Sequence, residues 1–214
     1  IPIKEINRGS IFCSCLQLSF VEALAELAKS DAEFLFVESS GLADPSNIME
    51  ILESVKVLTG DVYDFQGVIC LIDGVHFPKQ VKDTETVDRQ LKHCDVAIIN
   101  KIDLISEEQY KNVFSLVREV NPHCKVLSCA HGQADLSFMK EAFLQGDWAF
   151  SEESLNTVDN KPKTISLLCS ENVEKGRFQQ FLQAVLPECY RIKGFFLLDR
   201  SWMQVDVVEE LFCS

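Results

Sequence analysis

The sequence predicts an α/β fold, a mostly parallel sheet between helical layers, followed by the start of a smaller α+β domain. Three observations predict it. Apolar runs of strand length, at 33–37, 68–73, 95–100 and 124–128, alternate with stretches whose apolar residues recur at helical spacing. Three of these runs end in polar loops, at 38–41, 100–103 and 128–132. Past residue 163 the order changes to strand, helix, strand, strand. Alternation of strand and helix implies parallel βαβ units with right-handed crossovers, which place the loops after the strands on one sheet edge, where such folds bind ligands.

In order, residues 19–29 carry Phe20, Val21, Leu24 and Leu27 on one helical face, with Ser19 and Glu22 spaced as a capping box. Residues 33–37 read as a buried strand. Residues 46–57 read as a helix begun by Ser46 after Pro45. Residues 68–73 are continuously apolar, as in a sheet covered on both faces. A short helix follows at 84–92, a strand at 95–100, and a helix at 106–120 with Ser106 and Glu108 near its start. A strand at 124–128 and a helix at 136–144 complete the first region. Residues 151–163 are polar without periodicity and read as a linker between a domain at 1–150 and a second at 164–214. The second region reads as strand 164–169, helix 175–185 and strands 190–198 and 202–207. It is expected to be incomplete at Ser214.

The 214 residues suffice for one α/β domain plus an appendage. Twenty basic against 33 acidic residues give a net charge of −13, which argues against nucleic-acid and anionic-membrane partners. No apolar run approaches the roughly 18 residues of a membrane span, and no secretory signal is visible. The nine scattered cysteines read as thiols of a reducing compartment rather than a disulfide framework, so the expected location is the cytoplasm.

The chemistry concentrates at the three strand ends. In Asn100-Lys101-Ile102-Asp103, the Asp103 carboxylate suits a base with adjacent N–H and amine donors, which guanine has and adenine lacks. Asn100 can hold the neighbouring loop while the Lys101 stem covers the base face. On these four residues alone an ordinary strand-to-helix turn explains the run equally well. Ser128-Cys129-Ala130, one βα unit later, supplies the small residues that let backbone N–H groups reach a base carbonyl. Glu38-Ser39-Ser40-Gly41 offers a carboxylate for a Mg²⁺-bound or attacking water, and a glycine for backbone approach to a γ-phosphate; a helix-capping loop is the alternative. These are parts of a guanine-nucleotide site, yet no G-x-x-x-x-G-K-[ST] phosphate loop occurs in the sequence. Cys13 and Cys15 could give two thiolates to zinc or a similar ion, or be ordinary cysteines. His76, His93, His123 and His131 read as surface or turn residues, and Asp73, Gln90 and Asp95 as structural caps.

Three runs together resemble the CobW-type GTPases, the cobalamin-synthesis-protein family related to urease and hydrogenase nickel-insertion GTPases. Glu38-Ser39-Ser40-Gly41-Leu42-Ala43-Asp44-Pro45 is similar to that family's E-T-T-G-L-A-D-P. Gln90, Asp95 and Asn100-Lys101-Ile102-Asp103-Leu104 resemble its Q-x-x-x-A-D…N-K-x-D-L stretch, and Arg191-Ile192-Lys193-Gly194 its R-x-K-G. The likeness spans residues 6 to 207. It implies a P-loop NTPase-like fold and a GTP-hydrolysing metallochaperone that uses GTP and Mg²⁺. The cargo would be a metal, Zn²⁺ or Co²⁺, or a corrinoid, delivered to a client metalloprotein or corrinoid protein. Glu38 would match the switch acid, acting with Gly41, and Asn100, Lys101 and Asp103 the guanine readers.

The phosphate loop would lie in a βα unit before Ile1, of roughly 30 residues. The residues from Ile1 onward are therefore expected to be inactive alone, and poorly stable or homo-oligomeric. The family's G-C-x-C-C metal motif is matched in part, by Cys13 with Cys15 extra, or by both with Leu16 in third place. A noncatalytic client-binding or metal-binding module is the alternative.

Overall fold

The computed structural model describes residues 3–6, 11–12, 16–41, 43–140, 165–168, 171–189 and 191–208. Two compact units are present, Ile1–Pro162 and Lys163–Ser214. No helix among the described residues is long and apolar enough to cross a membrane.

In the first unit, strands β1 (Ile69–Asp73), β2 (Val96–Asn100) and β3 (Lys125–Ser128) form a parallel sheet in the order β1-β2-β3. The helices are α1 (Gln17–Leu27), α2 (Ile48–Thr59), α3 (Phe77–Asp83), α4 (Glu85–Lys92) and α5 (Glu107–Val120). Strand β2 is central, and its apolar residues divide by the twofold period of a strand. Ala97 and Ile99 join Ile72, Phe77, Leu91, Val113 and Val117 in the core beneath α3, α4 and α5. Val96 and Ile98 meet Cys129 and Phe138 on the other face. Helices α1 and α2 pack on each other through Phe20, Val21, Leu24, Ile51 and Val55. Tyr63 ties down this pair by donating its hydroxyl to the Leu24 carbonyl at 2.6 Å.

The buried thiols have structural environments. Cys94 lies against Cys124 and Cys70, and those contacts together with burial push its thiol up, so it stays protonated. Gly67 adopts φ +130°, and a Cβ there would sit 2.6 Å from Asp95 Oδ2, the oxygen that accepts the Val68 N–H at 2.8 Å. Gly67→Ala should therefore destabilise the first unit by about 1–3 kcal/mol. Denaturant unfolding checks this, and wild-type stability in the variant would contradict it.

Several expectations are corrected. Residues 33–37 form no strand, and Phe34, Phe36 and Val37 are 64%, 68% and 46% exposed. An apolar run becomes a strand only where a neighbour completes its backbone hydrogen bonds, and no described segment does so here. Among the described residues strand β1 is covered on one face only, with Leu71 73% exposed. Ser19 caps nothing, because α1 begins two residues earlier, after Leu16, without a side-chain cap. Helix α2 starts at Ile48 rather than at Ser46, whose N–H is taken by Asp44 Oδ1 at 3.0 Å. The capping box of α5 pairs Ser106 with Gln109. Helix α3, with Pro78 in its first turn, was not expected from the sequence. The expected helix 136–144 is a 3-10 turn at Leu136–Lys140, and its remainder lies outside the described residues, as does the linker at 151–163.

The second unit contains α6 (Lys175–Val185) and a hairpin of β4 (Arg191–Leu198) and β5 (Ser201–Val208). Asp199 and Arg200 both take positive φ, 46° and 66°, the twist a two-residue hairpin turn requires. Phe178 of α6 packs on Phe196 of β4 with ring centroids 4.5 Å apart. Residues 165–168, expected as part of a strand, pair with nothing described and are exposed.

Candidate functional site

The parallel sheet brings the ends of its three strands to one edge. Asp73 ends β1, Asn100 ends β2 opposite it in register, and Ser128 ends β3. The Asn100 side chain joins the last two loops. Its Oδ1 accepts the Gly132 N–H at 3.1 Å and the Cys129 thiol at 3.4 Å. The Cys129 N–H reaches the Ile99 carbonyl at 2.8 Å, and the Cys129 carbonyl accepts from Ile102 at 3.3 Å. Asn100 and Cys129 thus bind the two loops into one body, as the sequence suggested for Asn100. Ser128 exchanges a hydrogen bond with the Tyr110 hydroxyl at 2.8 Å. Nothing among the described residues accepts from the Ala130 N–H.

Lys101 takes the left-handed conformation, φ 61°, immediately after β2. Its ammonium reaches back to Asp73 Oδ2 at 2.8 Å. His76 Nδ1 meets the same oxygen at 3.0 Å, while Oδ1 accepts the N–H groups of Val75 and His76 at 3.0 and 3.3 Å. Burial alone would raise the Asp73 carboxyl; the Lys101 ammonium, His76 and the Val75 N–H outweigh it and pull it down to about 2. Asp73 is therefore ionised at neutral pH, a linking role beyond the cap expected of it. Asp103 lies in the middle of a 3-10 turn, Ile102–Leu104, and is exposed, and among the described residues its carboxylate meets only the His131 imidazole, Nε2 to Oδ2 3.6 Å. An exposed carboxylate of this kind can accept from a ligand that carries adjacent N–H donors.

The 38–41 loop is held from its C-terminal side. Gln90 of α4 donates Nε2 to the carbonyls of Gly41 and Ala43, at 3.1 and 2.8 Å. Asp44 is buried, with Arg89 Nε 4.0 Å from Oδ2. Glu38 itself is exposed, so the desolvation expected for an acid ending a buried strand does not arise. Cys13 and Cys15 lie outside the described residues. Among the described residues no group of three or more His, Cys, Asp or Glu side chains could hold a metal ion. His93 lies in the turn after α4, one of the two places expected for it, and is buried there. The Asp73–Lys101 and Gln90–Gly41 links escape sequence reading because their partners are 28 and 49 residues apart.

Residues 1–128 match the profile described as CobW/HypB/UreG, nucleotide-binding domain. The chain belongs to this family. It is 28% identical over 166 residues to the Zinc chaperone YjiA of Escherichia coli, covering 75% of this chain and 49% of that protein. It is 25% identical over 252 aligned positions to Zinc-regulated GTPase metalloprotein activator 1 of Schizosaccharomyces pombe, covering 97% of this chain and 61% of the relative. The chain thus spans about half to three-fifths of the length of these two CobW-family relatives. Among solved structures it resembles Zn(II)-bound YjiA GTPase from E. coli, with TM-score 0.50 and 22% identity over 90% of this chain and 67% of that one. That likeness concerns the fold, which is the P-loop NTPase-like α/β arrangement expected from the sequence.

Proposed function

We propose that this CobW-family chain is the guanine-nucleotide-binding part of a GTP-hydrolysing metallochaperone that delivers a metal to a client protein. The observation that supports the reading is the union of the 100–103 and 128–132 loops through Asn100 Oδ1, with Asp103 exposed in the first of them. In this reading Asp103 takes the guanine donors, Asn100 and Cys129 hold the reading loops, and Lys101 covers the base. Ser128 and Ala130 flank the base carbonyl. Glu38 orients a Mg²⁺-bound or attacking water, and Gly41, fixed by Gln90, lets backbone approach the γ-phosphate. Among cargoes, zinc is favoured by the relatives, a zinc chaperone and zinc-regulated activators. Co²⁺ or a corrinoid is the second choice, and Cys13 and Cys15 are the thiols nominated to meet the metal.

The test is Mg²⁺-dependent GTP turnover by the intact protein loaded with Zn²⁺, with metal transfer followed by a chromogenic chelator. Turnover that accelerates transfer supports the reading. Absent turnover in the intact protein, or transfer indifferent to GTP, refutes it.

A second reading, a noncatalytic docking module, is favoured by the hairpin of the second unit, where Phe195 and Trp202 are 71% and 70% exposed. It predicts client binding that is lost in Phe195→Ser, Trp202→Ser and unaffected by nucleotide.

A further inference from the structure

We propose that Asp73 is a positioning residue of the guanine site, acting by holding Lys101 across the mouth between β1 and β2. The proposal rests on the nucleotide reading of residues 100–103. Consecutive residues at the end of β2 are tethered in opposite directions. Asn100 is bonded towards β3, through Gly132 and Cys129, and Lys101 towards β1, through Asp73. A lysine stem is otherwise among the most freely rotating side chains, and fixing it before the ligand arrives removes that ordering cost from binding. The 2.8 Å contact between Lys101 Nζ and Asp73 Oδ2 requires the stem to run from the β2 end to the β1 end, so its methylenes form a wall beside the reading loop.

Asp73 is itself immobilised. Its Oδ1 is held by two backbone N–H groups, and its side chain is 26% exposed. The next residue, Gly74, donates its N–H to the Asn100 carbonyl at 3.0 Å, and a Cβ at Gly74 would lie 2.8 Å from that oxygen. Close approach of the two strand ends therefore requires glycine here. The β1 end serves the β2 loop twice, through a backbone bond to Asn100 and an ion pair to Lys101.

The competing account is that Asp73 only caps the turn into α3. Asp73→Asn separates the two, because an amide oxygen can still accept from Val75 and His76 while the ion pair is lost. The experiment is a double-mutant cycle on the intact protein, Asp73→Asn against Lys101→Met, read by calorimetric titration with Mg²⁺-GDP. The expected result is about a tenfold weaker Kd for Asp73→Asn in the wild-type background, and less than a twofold change from the same substitution beside Lys101→Met. An equal loss in both backgrounds, or no loss in either, overturns the proposal. A second readout needs no nucleotide: NMR relaxation at the Lys101 side chain should show it ordered in wild type and mobile in Asp73→Asn, and unchanged mobility overturns the holding role. If wild type binds no GDP, the nucleotide reading fails and this proposal fails with it, and the relaxation data show separately whether the clamp exists.

Discussion

Under the proposed guanine site, Asp103→Asn should turn a preference for guanine into a preference for xanthine. A carboxylate accepts from both the ring N1–H and the exocyclic amine of guanine. An asparagine offers one acceptor and one donor, which opposes the amine but matches the carbonyl that xanthine carries in its place. Charge-assisted hydrogen bonds contribute about 1.5–3 kcal/mol each, and a donor left facing a donor adds a desolvation cost. The expected loss for GDP is therefore on the order of a hundredfold or more, with XDP gaining as GDP loses. The side chain is accessible for this role, since among the described residues only His131 stands near it, at 3.6 Å. Competition titrations with GDP, XDP and ADP on wild type and variant check the result. Parallel loss of all three nucleotides would mean that Asp103 supports the loop rather than reading the base.

The largest stability effect should come from a residue outside the site. Asn121 follows α5 and is 4% exposed. Its Nδ2 donates to the carbonyls of Leu91 and Cys94, both at 2.9 Å, and to that of Lys92 at 3.3 Å. Its Oδ1 accepts the N–H groups of His123 and Cys124 at 3.1 and 3.0 Å. One side chain thus joins the end of α4, the approach to β2 and the approach to β3. Truncation leaves several of these backbone groups buried and unpaired, each costing about 1–3 kcal/mol where water cannot reach. Asn121→Ala should lower stability by about 3–5 kcal/mol, a large share of the roughly 5–15 kcal/mol of an ordinary domain. Asn121→Asp, nearly isosteric but without the donors, should also be strongly destabilised. Urea unfolding measures both, and a loss below about 1 kcal/mol in each would contradict this role.

The contrast between legible and hidden features has a physical pattern. Strands β1, β2 and β3 lie within a residue of their expected bounds, because short apolar runs ending in polar loops identify strands, although only β2 is buried along its length. Helix α6 spans 175–185 as its periodicity indicates. The 33–37 run carries the same composition yet forms no strand, since composition cannot supply a hydrogen-bonding neighbour. Helix α3 hides behind seven residues with two apolar members and a proline. At the site, the local motif 100–103 was visible, and so was the small-residue loop at 128–130. What fastens them was not: Asp73 and Gln90 read as caps or, for Gln90, as part of a motif, but the partners they hold lie 28 and 49 residues away in sequence. The Asn121 network is hidden for the same reason, because a polar residue after a helix reads locally as a simple stop.

The most direct test of the central claim is calorimetric titration of the intact protein with Mg²⁺-GTP and, in parallel, Mg²⁺-ATP. A guanine site at the ends of β2 and β3 predicts saturable GTP binding with ATP weaker by at least about a hundredfold, because adenine lacks the paired donors that Asp103 accepts. Equal affinities for the two nucleotides, or no GTP binding at all, would contradict it.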